Sequence, residues 1–281
     1  MKDLRAAISA ELKQMLVLDR TNDLRQRDVL YPFAIDELLC RSAGRGGPAI
    51  CHLWRHPAGF VLGLADSRLP NAELARQQLA RQGWSTAVRN SGGAAVPLDP
   101  GVVNISLIMP KKPGNHDPFD HDFELMYALI AKALEQSGSL VKKGEIDGAY
   151  CPGNYDLSVD GYKFCGIAQR RQTHAVIVQA FVVAAGSGAD RTRLVRGFYE
   201  QAAGGAEDAD YPQVTDLSTA SLVELHALSG EAAETFTSLV KRTVLEGQTP
   251  AELEEAAKRL QMPTEEEIGN MVDVLRARYS S

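Results

Sequence analysis

A chain of 281 residues with 44% hydrophobic and 23% charged side chains can bury a real core, as one large domain or one domain with an appendage. Its formal charge of −6 argues against a general nucleic-acid or anionic-membrane surface, which needs clustered Lys and Arg. The longest apolar runs, such as AVIVQAFVVAA at 175–185, are too short to span a bilayer. The first twenty residues lack the apolar segment and small-residue cleavage site of a secretory signal, so a cytoplasmic protein is expected.

In chain order, residues 1–17 read as a helix, and PFAIDELLCRSAG (32–44) as another that closes on Gly44 in a left-handed turn. AICHLWRH (49–56) and GFVLGLAD (59–66) are short β-rich runs separated by Pro57-Ala58, which predicts a hairpin-like pair. NAELARQQLARQG (71–83) has helical spacing and ends on Gly83. STAVRN (85–90) reads as a strand running into the small-residue turn SGGAAVPLDPG, and VVNISLIM as the next strand. After the polar loop PKKPGNHDPFDHD, a helix is expected from about Asp122 to Gln136 with Asp120 as its N-cap. Strands are expected at 155–159, 163–169 and 175–185, and GSGADRTRLVRGFYEQA turns into a helix. Beyond about residue 218 the pattern is helical alone. Thr249 with Glu252 and Thr264 with Glu267 stand in capping-box register, and Pro250 suits a first helical position. The layout is an α+β domain with a C-terminal helical appendage, divided as an N-terminal helix (1–30), a main α+β domain (31–220) and a helical extension (221–281).

Several stretches invite a chemical reading. GSGADR (186–191) is a strand-to-helix glycine turn, but it lacks the third glycine of a dinucleotide loop and lies far from the first strand. HDPFDHD (116–122) gathers two histidines and three aspartates as a metal site would, yet Asp120, Asp122 and Glu124 equally suit a helix start. Cys40, Cys51, Cys151 and Cys165 form no Cys-x-x-Cys pair and no zinc-like spacing with histidine, so reduced thiols and no metal are expected. In VRNSGGAAVPLDPG (88–101), Gly92 and Gly93 allow close backbone approach to a ligand, Ser91 adjoins them, and Arg89 adds charge. A tight strand connection is the alternative. Cys151, in YCPGN, lies in a Pro-Gly turn where a thiol can meet substrate, whereas Cys165, in YKFCGIA, has the apolar neighbours of an inert core thiol. Lys163 precedes Cys165 by two and by strand alternation shares its face; strand pairing could bring it to Cys151 and favour the thiolate. Nucleophile with activator and structural thiol both remain open on these grounds.

AIDELL (34–39), GLADSRLP (63–70), RNSGGAAVPLDPGVVNISLI (89–108), CPGNYDLSVDGYKFCGIAQRR (151–171) and GSGADR, in that order, resemble the lipoate- and biotin-protein ligase superfamily. Within it, CPGNYDLS together with KFCGIAQRR is similar to the lipoyl amidotransferases, which move octanoyl from the glycine-cleavage H protein to lipoyl domains of 2-oxoacid dehydrogenases. The resemblance implies a mixed, largely antiparallel sheet flanked by helices, an acyl tunnel beside RNSGG, and no cofactor. It implies that Cys151 is the acyl-thioester nucleophile and that Lys163 lowers its pKa and orients the acyl carbonyl. Arg89, Ser91, Gly92, Gly93, Asn154, Asp156 and Gly166 are the implied substrate-site residues. Ala94 and Leu98 stand where lipoate ligases carry a third glycine and a histidine, and those ligases lack a cysteine at the Cys151 loop; both departures favour transfer over ATP-dependent adenylation. An acyl-carrier-protein donor and ATP-dependent ligation are the alternatives within the family.

Overall fold

The computed structural model describes residues 12–111, 120–206 and 209–278. In chain order its strands are β1 (Leu16–Arg20), β2 (Ile50–Trp54), β3 (Gly59–Leu62), β4 (Ser85–Val88), β5 (Val96–Leu98), β6 (Val102–Pro110), β7 (Lys142–Lys143), β8 (Leu157–Val159), β9 (Tyr162–Arg171) and β10 (Ala175–Val183). Its helices are α1 (Leu30–Ala43), α2 (Ala72–Arg81), α3 (His121–Ala133), α4 (Gly188–Ala203), α5 (Ala232–Leu245), α6 (Pro250–Ala257) and α7 (Glu265–Ala277).

Seven strands form one mixed sheet in the order β1-β2-β6-β10-β9-β8-β7, in which only the β1–β2 pair is parallel. The central strands β6 and β10 are buried on both faces, which is why VVNISLIM and AVIVQAFVV read as nearly continuous apolar runs. On one face Val103, Ile105, Leu107, Val176, Val178 and Val182 pack with side chains of α3 and α5. On the other, α1, α2, α4, α7 and a three-stranded sheet (β4-β3-β5) share a second core. α7 joins that core through Ile268, Met271, Val272 and Leu275, a one-sided stripe at helical spacing laid against α1. Burial of each such side chain contributes about 1.5–3 kcal/mol. Both expected capping boxes form, with Thr249 and Glu252, and Thr264 and Glu267, each exchanging side-chain and backbone bonds.

The structure departs from the sequence reading in several places. Residues 1–11 of the expected N-terminal helix lie outside the described residues, and Leu16 and Val17 belong to β1. The free edge of β2 captures that segment, and strand pairing overrides local propensity. β2 and β3 are not a hairpin: Pro57-Ala58 carries the chain from the large sheet to the small one, where β3 pairs with β4 and β5. The stretch read as one long turn contains β5. Gly44 keeps a right-handed φ of −64°, and Gly46 takes the left-handed one at +101°. Asp120 stands at the N-cap position of α3 with near-helical angles and no side-chain cap bond.

Candidate active site

The β8–β9 hairpin turns on Asp160-Gly161, both with positive φ, the geometry of a two-residue turn whose twist suits paired strands. Just beyond, the register slips: Leu157 faces Cys165 but Ser158 faces Lys163, so β9 uses one more residue than β8. The slip is a β-bulge, and it reverses the alternation across Phe164. Lys163 and Cys165, two apart and expected on one face, therefore point to opposite faces. Cys165 lies with Leu157 and Phe164 in the α3/α5 core, where burial pushes its thiol well above the ordinary range. Lys163 reaches Tyr150 and Phe181 of the other core.

The Lys163 ammonium is fully buried and its three N–H bonds all have acceptors. It donates to the carbonyls of Tyr150 (2.9 Å) and Cys151 (2.6 Å) and pairs with Asp156 Oδ1 at 2.8 Å. Burial outweighs Lys163's attraction and pushes the Asp156 carboxyl up to about 6. This clamp holds Cys151 at φ +49°, a left-handed conformation that costs a residue with a Cβ about 1–2 kcal/mol.

So held, the Cys151 side chain turns toward the glycine turn that follows β4. Arg89 Nη2 donates to Cys151 Sγ at 3.2 Å and to the Ala94 carbonyl at 2.7 Å, and the Ala94 N–H points at the same sulfur at 3.3 Å. Gly93, at φ +96°, is required by that approach: a Cβ there would collide with Arg89 Nη2 and stand 2.9 Å from Sγ. The turn is braced from behind. Tyr199 accepts from the Ala95 N–H and donates to Asp66, which in turn holds the Gly63 N–H. Arg170 of β9 grips Glu37 of α1 and the Asn90 carbonyl, tying helix, sheet and turn together.

Cys151 opens on a cleft of about 430 Å³, measured out to its mouth, whose walls include Phe33, Trp54, Asn104, Gly166 and Phe181. Gly166 is needed to leave Phe181 its place, since a Cβ would stand 2.6 Å from the ring. Beneath α1, the buried Asp36 carboxylate takes His52 Nδ1 (2.8 Å), the Ser106 hydroxyl (2.5 Å) and the Gln179 amide (2.9 Å), and Ser106 and Gln179 of this row join Arg89 and Asn104 as polar members of a mainly apolar cleft wall.

Of the residues expected at the site, Cys151, Lys163, Asp156, Arg89, Gly93 and Gly166 are brought together. Gly92 is exposed with open space about it, Ser91 has a buried hydroxyl without a partner, and Asn154 is exposed in the loop. Sequence reasoning missed the Ala94 N–H, Phe181 and the Asp36 row. Gln179, a lone polar residue in AVIVQAFVVAA, was the signal for that row. GSGADR is a helix start, with Ser187 capping the Asp190 N–H. His116 and Asp117 of the acidic loop lie outside the described residues, and Asp122 pairs with Arg171.

A family model, the lipoyl protein ligase A/B catalytic domain, matches residues 28–227. The chain is 44% identical over 211 residues to the Octanoyl-[GcvH]:protein N-octanoyltransferase of Geobacillus kaustophilus, covering 74% of each chain. It is 36% identical over 229 residues to the Lipoyl-[GcvH]:protein N-lipoyltransferase of Listeria monocytogenes, covering 79% of this chain and 82% of that one. Lipoate-protein ligase A bound with ATP superposes with a TM-score of 0.61 at 19% identity, over 95% of both chains. Protein Ta0514 of T. acidophilum with bound lipoic acid gives 0.62 at 18%, over 95% of this chain and 96% of that one. At those identities the two structures speak for the fold alone.

Proposed function

The chain belongs to the lipoyl protein ligase A/B catalytic-domain family and is an acyltransferase of protein lipoylation, and within that frame we propose a Cys151 thioester mechanism acting between two carrier proteins. The donor is an octanoyl- or lipoyl-lysine of a GcvH-type carrier, the substrate in the relatives' names, and the acceptor is a lysine of a lipoyl domain. The observation that carries this reading is a cysteine thiol lining an apolar cleft with a guanidinium and a backbone N–H on its sulfur.

Sulfur attacks the amide carbon, the C–N bond breaks, and the proton lost from the thiol is made up on the departing lysine nitrogen. The acceptor lysine then attacks the thioester, the C–S bond breaks, and the acceptor's proton restores the thiol. One amide is exchanged for another, so the net reaction needs no ATP. Formation of a thioester from an amide is uphill, so acyl-enzyme accumulates only from activated donors. Negative charge passes from sulfur to the acyl oxygen during attack, and the donors already on the sulfur, Arg89 and the Ala94 N–H, are those within reach of it.

The test is a donor panel: octanoylated H protein or octanoyl-acyl carrier protein, each with a lipoyl domain, with and without ATP. ATP-independent transfer from the H protein is expected. Dependence on ATP would make the chain a ligase, and transfer from acyl carrier protein alone would replace the donor.

A further inference from the structure

Two buried cations flank Cys151, and they are not equivalent. Lys163 has a carboxylate partner, Asp156, and all three of its N–H bonds are spent on Asp156 and two main-chain carbonyls. No hydrogen bond joins its Nζ to Cys151 Sγ; it addresses the carbonyl side of the residue. Arg89 is also buried, at 7% exposure, but among the described residues no carboxylate lies within salt-bridge distance of its guanidinium, and its Nε has no partner. A guanidinium stays charged at any working pH, and the Asp66 carboxyl feels that charge without touching it. The ionisable group in contact with it is the Cys151 sulfur, 3.2 Å away.

We propose that Arg89 is a second catalytic cation at Cys151, in direct contact with the sulfur, beside Lys163, which with Asp156 also positions the backbone of residues 150 and 151. The inference rests on Cys151 being the nucleophile. To Lys163, the cation expected to activate the thiol, it adds one that the sulfur itself touches. The other titratable groups around the site supply no competing charge in contact with the sulfur. Tyr150, adjacent in sequence, and Tyr199, from α4, are both pushed upward by burial and stay neutral. Asp66, raised by burial against the smaller opposing pull of Arg89's charge, gives its hydrogen bonds to Tyr199 and the Gly63 N–H and none to Arg89. Arg191 is paired with Asp99. Gly93 fits the same account, because any side chain there would separate guanidinium from sulfur.

The experiment measures carbamidomethylation of Cys151 by limiting iodoacetamide across pH, read by peptide mass spectrometry on the full chain. It needs no acyl donor, so it fails or succeeds independently of the proposed transfer reaction. Folded Arg89→Gln should alkylate about tenfold or more slowly near neutral pH, with its profile moved up by about one pH unit or more. Arg89→Lys should recover part of both. The paired neutral variant Asp156→Asn/Lys163→Met should lower the melting temperature and, because it frees the backbone of residues 150 and 151, slow alkylation as well. Where Arg89→Gln does not fold, Arg89→Met, uncharged and of similar reach, takes its place in the same measurement. An unmoved profile in the folded, uncharged Arg89 variant, Gln or Met, would overturn the proposal.

Discussion

The two faces of the seven-stranded sheet come from the same strands yet differ in kind. Toward α3 and α5, β6 presents Val103, Ile105, Leu107 and Met109, and β10 presents Val176, Val178, Ala180 and Val182, an aliphatic surface that packs and does nothing else. Toward α1, the intervening positions include, among apolar ones such as Ile108 and Ile177, the polar Asn104, Ser106 and Gln179, joined by His52 and by Asp36 from the helix. Buried polar groups destabilise unless each is hydrogen-bonded, and His52 Nε2 is buried without a partner, so the second face carries a cost that the first avoids. The cleft, Cys151 and both buried cations all lie on the costly face. The difference teaches where to look in such a fold: at the strand positions whose alternation puts polar groups inside.

That contrast can be broken deliberately. The largest effect belongs to Cys151→Ala, which should abolish transfer from H-protein donor to lipoyl domain while leaving the melting temperature close to native. Gly93→Ala comes next. Its Cβ and unfavourable φ disturb the contact between Arg89 and sulfur, and a displacement of that size should cost about 100-fold in transfer rate, measured on folded protein.

A neighbouring pair then compares the faces directly. Leu107→Ala, on the aliphatic face, should cost about 2–5 kcal/mol in denaturant unfolding with transfer per folded molecule unchanged. Ser106→Ala, one residue away on the other face, removes a donor to Asp36 and should cost about 1–3 kcal/mol. Unlike Leu107→Ala, it should change KM for the acyl donor. A Leu107→Ala variant with equally altered KM would erase the distinction.

The smallest effect is one of pH. Asp156, raised by burial from 3.8 to about 6, binds its proton more tightly folded than unfolded, so its contribution to stability declines as pH rises from about 4 to about 6. Asp156→Asn should lack that decline. Stability curves of native protein and variant should therefore separate across this window, the native curve falling relative to the variant. A native curve that rises relative to the variant would contradict the assignment.

Much of this was legible in the sequence, and for identifiable reasons. Helices with local signals, such as the two capping boxes and α2 ending near Gly83, formed where expected because their determinants lie within a few residues. The partnership of β2 with β1 and β6 was not legible, because pairing across dozens of residues is decided by which buried edges remain open. At the site, the motif residues Cys151, Lys163, Arg89 and Gly93 could be named, but their division of labour could not. One extra residue in β9 reverses the side of the sheet on which Lys163 stands relative to Cys165, and simple alternation contains no trace of it.

The central claim is that the acyl group rides on Cys151, and peptide-level mass spectrometry of the enzyme after incubation with an activated octanoyl donor tests it most directly. One octanoyl group should appear, removable by hydroxylamine, on the peptide carrying Cys151, with Cys165 unmodified in its core. Octanoyl on Cys165, or undiminished transfer by Cys151→Ala, would contradict the account.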